Sequence, residues 1–399
     1  MVRTLDGAVT GGGGVCIFGP RVARVFSGEV KGGAELQMAL LAQALTAGGI
    51  RCVIVDPQAG DAPGEPPGSP RVVPVPGWNT GIRGLRMLTR RWPRLLRALR
   101  TARSSLYYAR GFSSLSAVPW LAARLNGVPF VLAVASDADL LPFRDRFESL
   151  YRGRSGLWDW ISTIIPNELV LAFLQRSADA LLVQHDDQAS LAERAGLRTV
   201  ICRNIAGSDL VDGAGCGRHE GPVTMVGTLS RYKGLDLLPD LIRALPELTF
   251  EFIGRVTDAD GVMARRVLAA LPNVKFSGAL PRAETLRRIA EARVLLNTSP
   301  REGFPNTFLE AWAFGTPVIS LHVDPGGVLE RERLGICCHG DVDRLAGELR
   351  KPGYDLDPER MRAYVRDHHS GAAAVAVLRQ LIPQELRREN HARTTGQED

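Results

Sequence analysis

The chain has 399 residues, 45% of them hydrophobic and 23% charged, with a net charge of +6. That length suits two domains of ordinary size, and the composition is globular, which excludes a disordered or fibrous chain. The modest basic excess suits an anionic substrate or a membrane surface and gives no reason to expect nucleic acid as a partner.

In chain order, residues 1–14 are expected to be disordered. VCIFGP (15–20) reads as a buried strand, Ala34–Ala47 as a helix and CVIVDP (52–57) as a second strand, together a Rossmann-like unit. Gly32 and Gly33 stand just before that helix, where glycine lets a ligand approach the backbone or simply makes a flexible turn. Residues 57–79, rich in Pro and Gly, read as a surface loop. Residues 83–103 carry Arg83, Arg86, Arg90, Arg91, Arg94, Arg97, Arg100 and Arg103 among leucines, and Pro93 is expected to split them into two helices. A solvated helix face is one reading of this stretch; a basic amphipathic patch for anionic lipid is the other, a peripheral membrane contact. Leu106–Arg110 and Pro129–Ala135 read as strands and Ala117–Leu125 as a helix. Residues 140–170, with Phe143, Phe147, Tyr151, Trp158 and Trp160, read as an irregular linker, either a mobile flap or a loop packed on the sheet. A helix at Asn167–Arg176, a strand at 180–184, a helix at Gln188–Ala195 and a strand at 200–204 follow, and 206–221 is the interdomain linker.

The second half opens with a strand at 222–227, a loop holding Arg231 and Lys233, and a helix from about Gly234. Two cations at the end of a strand can hold a diphosphate, although two solvated loop cations fit the spacing as well. Strands are expected at 248–255 and 274–280, and a helix at 282–291. The polar chemistry concentrates in SPREGFPNTFLEAWAFGTPVIS (299–320), which follows a strand ending near Asn297. A helix starts near Pro305, buries Leu309, Trp312 and Ala313, and stops at Gly315 and Pro317 before a strand at Val318. Backbone N–H groups near Phe304, Asn306 and Thr307, with the helix dipole, form an anion site. Glu302 precedes the helix and Glu310 lies inside it. Spacing alone also allows a plain amphipathic helix with two solvated glutamates. Helices from about Pro358 to Leu386 and a disordered tail end the chain.

Asp137-x-Asp139 has the spacing of a metal-binding pair, but the same spacing recurs at Asp258/Asp260, Asp341/Asp343 and Asp355/Asp357, so no metal is expected. The six cysteines, at 16, 52, 202, 216, 337 and 338, form no C-x-x-C pair and read as reduced thiols, with Cys337 and Cys338 as small apolar fillers. No apolar run approaches the roughly 20 residues of a membrane span, and no signal peptide is apparent, so a cytoplasmic protein is expected. The Ala, Arg and Gly bias points to a bacterial source.

Residues 299–320 resemble the signature of the retaining glycosyltransferases of family four, which have the GT-B fold. Glu302, Gly303, Phe304, Pro305, Asn306, Leu309, Glu310, Ala311, Ala313, Gly315, Pro317 and Val318 match in register. The stretch around VGTLSRYKG (226–234) resembles the same family, with Lys233 at its diphosphate lysine, but Thr228 stands where an arginine is usual and Arg231 is the nearest substitute. A His-Asp pair usual after a strand of the first domain is replaced by Ser136-Asp137.

The resemblance implies an α/β protein of two Rossmann-like domains facing each other across a cleft. Residues 1–210 would form the acceptor-side domain and 222–365 the nucleotide-sugar donor domain. Residues 366–399 would hold a helix returning to the first domain. It implies transfer of a sugar from a nucleotide diphosphate sugar to a glycan, lipid-linked or small-molecule acceptor, with retained anomeric configuration and neither cofactor nor metal. Glu310 would hold the ribose, and Glu302 the donor sugar and its phosphate. Lys233, with Arg231, would steady the leaving diphosphate. Gly33, Gly303, Phe304, Asn306 and Thr307 would line the donor. A non-catalytic nucleotide-sugar-binding or scaffold protein and a nucleotide-sugar epimerase remain as alternatives.

Overall fold

The computed structural model describes residues 14–30, 32–59, 69–82, 86–151, 156–211, 220–230 and 233–383. The expected disordered ends, most of the Pro-rich loop and most of the interdomain linker lie outside them. The chain forms two compact units. The first runs to Ile205 and takes up the chain again from Gly371; the second is Ala206–Ser370. The expected divisions stood at 210–222 and 365/366.

In the first unit, strands β1 (Val15–Phe18), β2 (Cys52–Asp56), β3 (Arg71–Pro74), β4 (Leu106–Arg110), β5 (Phe130–Ala133), β6 (Ala180–Val183) and β7 (Thr199–Ile201) form one sheet in the order β3-β2-β1-β4-β5-β6-β7. Every pairing is parallel. β1, β2, β5 and β6 are buried along their whole length, which is why they read as unbroken apolar runs. β3 corrects the expected loop over 57–79. It is an edge strand flanked by Pro70 and closed by Pro74, and prolines are tolerated where one side of the ladder is open.

Two helical readings also change. Pro93 does not split residues 86–103. The chain makes a π turn at Met87–Arg91 and runs straight into the helix Trp92–Thr101, with Pro93 in its first turn. A wider turn ahead of a proline accommodates the carbonyl that its ring would strike. The same device recurs at Trp160–Ile164, ahead of Pro166 and the helix Ile165–Ser177. The expected linker at 140–170 is therefore mostly helical, with Phe143–Leu150 and a helical run from Leu157 onward. Phe147 stacks on Trp160 with ring centroids 5.2 Å apart.

The closing helix Gly371–Leu381 packs on Gly33–Ala47, both in the first unit. Ala374, Val375, Leu378 and Ile382 enter that unit's core.

The second unit carries β8 (Val223–Val226), β9 (Phe250–Ile253), β10 (Val274–Gly278), β11 (Val294–Asn297), β12 (Val318–Ser320) and β13 (Gly335–Cys337). They form a second parallel sheet in the order β10-β9-β8-β11-β12-β13. The helix expected from Gly234 begins only at Leu238, and a helix at Ala259–Leu268 had no counterpart in the sequence reading. Cys337 and Cys338 are buried in two different apolar clusters, because consecutive residues of an extended strand face opposite sides. Among the described residues, no helix is long and apolar enough to cross a membrane.

Candidate active site

The strand-loop-helix-strand unit expected around 299–320 is present: β11, then Asn306–Ala313, then β12, paired parallel to β11. The helix is anchored by its apolar face. Phe308, Leu309, Ala311 and Trp312 are buried, and the Trp312 indole N–H donates to the Leu334 carbonyl at 2.8 Å. Gly315, with φ of 72°, ends it in the left-handed conformation. Pro305 occupies the N-cap position and supplies no side-chain acceptor to the first-turn amides.

The Lys233 and Glu302 side chains meet in an ion pair, each about a quarter exposed. Both sit on loops after strand ends, Lys233 beyond β8 and Glu302 beyond β11. Two hydrogen bonds and a glycine turn hold Lys233 in place. Its backbone N–H donates to the Ser230 carbonyl at 3.0 Å. Its own carbonyl accepts from the Thr298 hydroxyl at 2.6 Å. Gly234 then turns the chain with φ of 61°, where a Cβ would fall 2.3 Å from the Thr298 carbonyl oxygen. Only glycine fits that close approach.

Glu310 is 6% exposed and its carboxylate accepts from Arg282 Nη1 at 2.6 Å. Arg282 opens the helix Arg282–Glu291 and was not singled out from the sequence; nothing in PRAETLRR marks one arginine as the partner of a carboxylate 28 residues on. Arg and carboxylate so enclosed make a charge-assisted contact that fixes the carboxylate's direction.

The other expected site residues divide. Gly303 and Phe304 are buried, and Asn306 and Thr307 are half-buried at the helix start. The Phe304 ring lies edge-on to Trp312, with centroids 6.1 Å apart, and 4.9 Å from His369, so its side chain is core and only its backbone faces the loop chemistry. Gly33 is the exposed first residue of the Gly33–Ala47 helix in the first unit. Gly32 before it has an extended φ of −154°, and a Cβ there would come 2.4 Å from Glu35 Oε2. That carboxylate is held by Arg21 at 2.7 Å. Arg231 lies outside the described residues.

The aspartate pairs turn out to be helix starts. Asp258, Asp341 and Asp357 each cap a helix, accepting from the backbone N–H of Gly261, Arg344 and Glu359 at 2.7–2.8 Å. Asp139 accepts from the N–H groups of Ala135 and Ser136 at 2.9 and 3.0 Å. Asp137 accepts from Gln188 at 2.8 Å, and buried His185, from the end of the neighbouring strand, places Nε2 3.5 Å from the same oxygen. A histidine does stand beside Asp137, but it comes from beyond β6, a juxtaposition that requires knowing that β5 and β6 are neighbours.

Residues 221–351 match the family model of glycosyl transferases group 1, and residues 32–205 match a glycosyl transferase 4-like domain. No curated protein matches the sequence. Among solved structures, the chain is similar to sucrose-phosphate synthase from Thermosynechococcus elongatus, with 16% identity and a TM-score of 0.72 over 94% of this chain and 99% of that one. It is similar to WaaG, a glycosyltransferase involved in lipopolysaccharide biosynthesis, with 14% identity and a TM-score of 0.64 over 93% and 100%. A glycosyltransferase from Rickettsia africae ESF-5 gives 12% identity and 0.64 over 95% and 99%. At these identities the likeness speaks for the fold alone.

Proposed function

Because the chain belongs to the glycosyl transferases of group 1 and has their GT-B fold, we propose that it moves a sugar from a nucleotide diphosphate sugar to an acceptor hydroxyl with retention of configuration. One observation carries this reading. A lysine–glutamate pair stands immediately before a helix start with no side-chain cap, and a second, buried glutamate is clamped by arginine inside the same helix.

In the proposed reaction the bond between the anomeric carbon and the diphosphate oxygen breaks, and its electron pair stays on the diphosphate. Lys233, Arg231 and the backbone N–H groups of Gly303, Phe304, Asn306 and Thr307 bind that growing charge. The acceptor oxygen bonds to the anomeric carbon on the face the diphosphate leaves, and its proton passes to the departing phosphate. Before the donor arrives, Lys233 is held by Glu302. The donor's diphosphate takes over the ammonium, and Glu302 turns to the donor sugar and orients it. Glu310, aimed by Arg282, receives the ribose hydroxyls. Since lysine, arginine and the helix start supply the positive charge, no divalent metal takes part, and a chelator is expected to leave turnover unchanged. The acceptor is a glycan, lipid-linked or small-molecule hydroxyl, in bacterial glycan or glycolipid synthesis.

The test is donor turnover with a panel of nucleotide sugars, followed by proton NMR of the product anomer. Turnover with one donor, a product of unchanged anomeric configuration and a loss of about a hundredfold or more in Lys233→Ala are expected. An inverted product, or full activity in Lys233→Ala, contradicts the reading.

A further inference from the structure

The helical run from Leu157 to Ser177 in the first unit is apolar on both sides. Ile164, Leu171 and Leu174 face inward and are buried. Leu157, Ile161, Ile165, Leu169 and Phe173 recur every four residues on the other side and are 45–76% exposed. They form one stripe about 24 Å long, at 1.5 Å rise per residue. The π turn at Trp160–Ile164 slows the drift that a spacing of four would otherwise show. Among the described residues of 157–173, the remaining exposed positions are Ser162 and Ala172, so no exposed position carries charge. The helix's Glu168 is turned inward to Arg146, whose Nε lies 2.9 Å from it. A surface helix of a globular protein normally has charged residues on this face. The apolar area continues onto neighbouring helices: Phe143 stands near Trp160, Trp120 meets Phe173 at 4.7 Å, and Leu121 and Leu125 are exposed.

On one side of this stripe, toward Ala117–Leu125 and Trp92–Thr101, the charge is of one sign; on the other, Phe143–Leu150 carries exposed Arg144, Asp145 and Glu148. Trp92–Thr101 packs against Ala117–Leu125, which packs against Ile165–Ser177, in one layer. Between Glu65 and Asp137 the sequence holds eleven arginines and no acidic residue, more positive charge than the whole chain's net +6. Arg91 and Arg94 are used internally, donating to the backbone of Trp78 and Gly77 at 3.1 and 2.6 Å. Arg90, Arg97 and Arg100 are exposed. The structure assigns this face to the surface of an anionic lipid bilayer: the stripe Leu157–Phe173 enters the interface and the arginine-bearing helices meet the headgroup charge. A second copy of the chain fits poorly, because a two-fold contact through this face would bring two arginine layers together. The membrane-facing element is thus the 157–173 helix, with the basic stretch beside it.

Flotation with vesicles tests this, independently of any sugar transfer. The protein is expected to bind phosphatidylcholine vesicles containing phosphatidylglycerol, and to bind pure phosphatidylcholine much less. The double variant Ile161→Glu with Leu169→Glu, at exposed positions, is expected to keep its melting temperature and lose binding about tenfold or more. Arg97→Glu with Arg100→Glu is expected to weaken binding to anionic vesicles severalfold and to reduce its salt dependence. Three results would overturn the assignment: no binding to anionic vesicles, undiminished binding by the Ile161/Leu169 variant, or a solution dimer in sedimentation velocity that this variant dissociates.

Discussion

Glu310 is a carboxylate almost wholly withdrawn from water, and its contact with Arg282 fixes its direction. Arg282→Ala removes that contact from a buried carboxylate, at a cost of about 1–3 kcal/mol. The expected result is a lower melting temperature together with weaker nucleotide binding, both partly restored in Arg282→Lys; an unchanged melting temperature contradicts the pairing. A second residue couples stability to pH. Burial pushes the Asp139 carboxyl up to about 6, against the two backbone N–H groups that pull it down. The folded protein therefore holds this proton more tightly than the unfolded chain. The stability it contributes is present below about pH 4 and is lost as pH rises through about 6, roughly 3 kcal/mol in all. Denaturant titrations at several pH values should show that decline in the native protein and not in Asp139→Asn; the same slope in both would refute it. Of these residues, Glu310 was legible from its place in a helix-start pattern. Arg282 was not, because it finds its partner across the fold and carries no local mark; His185 stands out as the first domain's histidine after a strand, but its approach to Asp137 depends on strand order.

At the scale of elements, the loop after β8 depends on a single backbone conformation. Gly234→Ala forces a Cβ into the Thr298 carbonyl at a left-handed position, with an expected cost of about 1–3 kcal/mol. Because Thr298 also holds the Lys233 carbonyl, the loss should extend to nucleotide affinity. Calorimetric affinity compared with the melting curve checks this; wild-type affinity in Gly234→Ala would mean that the loop does not position Lys233. Strands buried on both faces, and the helix Asn306–Ala313 with its Pro start and Gly stop, could be read directly from residue order. Other elements could not. β3 is masked by the prolines that an edge strand tolerates. The run from Leu157 is apolar on both sides and lacks the single-faced period that marks a surface helix, so only its second half, Asn167–Arg176, was read as helix. Ala259–Leu268 begins at an aspartate cap that also fits a metal-pair spacing.

At the scale of the molecule, the chain is not colinear with its units. Gly371–Leu381 belongs to the first unit although the second unit separates it from the rest of that unit in sequence. Ending the chain after Ser370 removes Ala374, Val375, Leu378 and Ile382 from the first unit's core, a loss of about 5 kcal/mol or more at roughly 1.5–3 kcal/mol per large side chain. That chain is expected to lose the cooperative melting of its first unit. Melting equal to that of the full protein would contradict the assignment of that helix. Paired with the family membership of both units, this organisation makes the donor site in the second unit the central claim.

That claim is tested most directly by thermal unfolding of the full chain with UDP, GDP and ADP, each without divalent metal, beside Lys233→Ala. One nucleotide at a hundredfold excess over its dissociation constant should stabilise the native protein by about 2.7 kcal/mol, and the stabilisation should vanish in the variant. A folded protein whose melting temperature moves with none of the three, or moves equally in Lys233→Ala, would contradict a nucleotide-diphosphate site built on Lys233, Glu302 and Glu310.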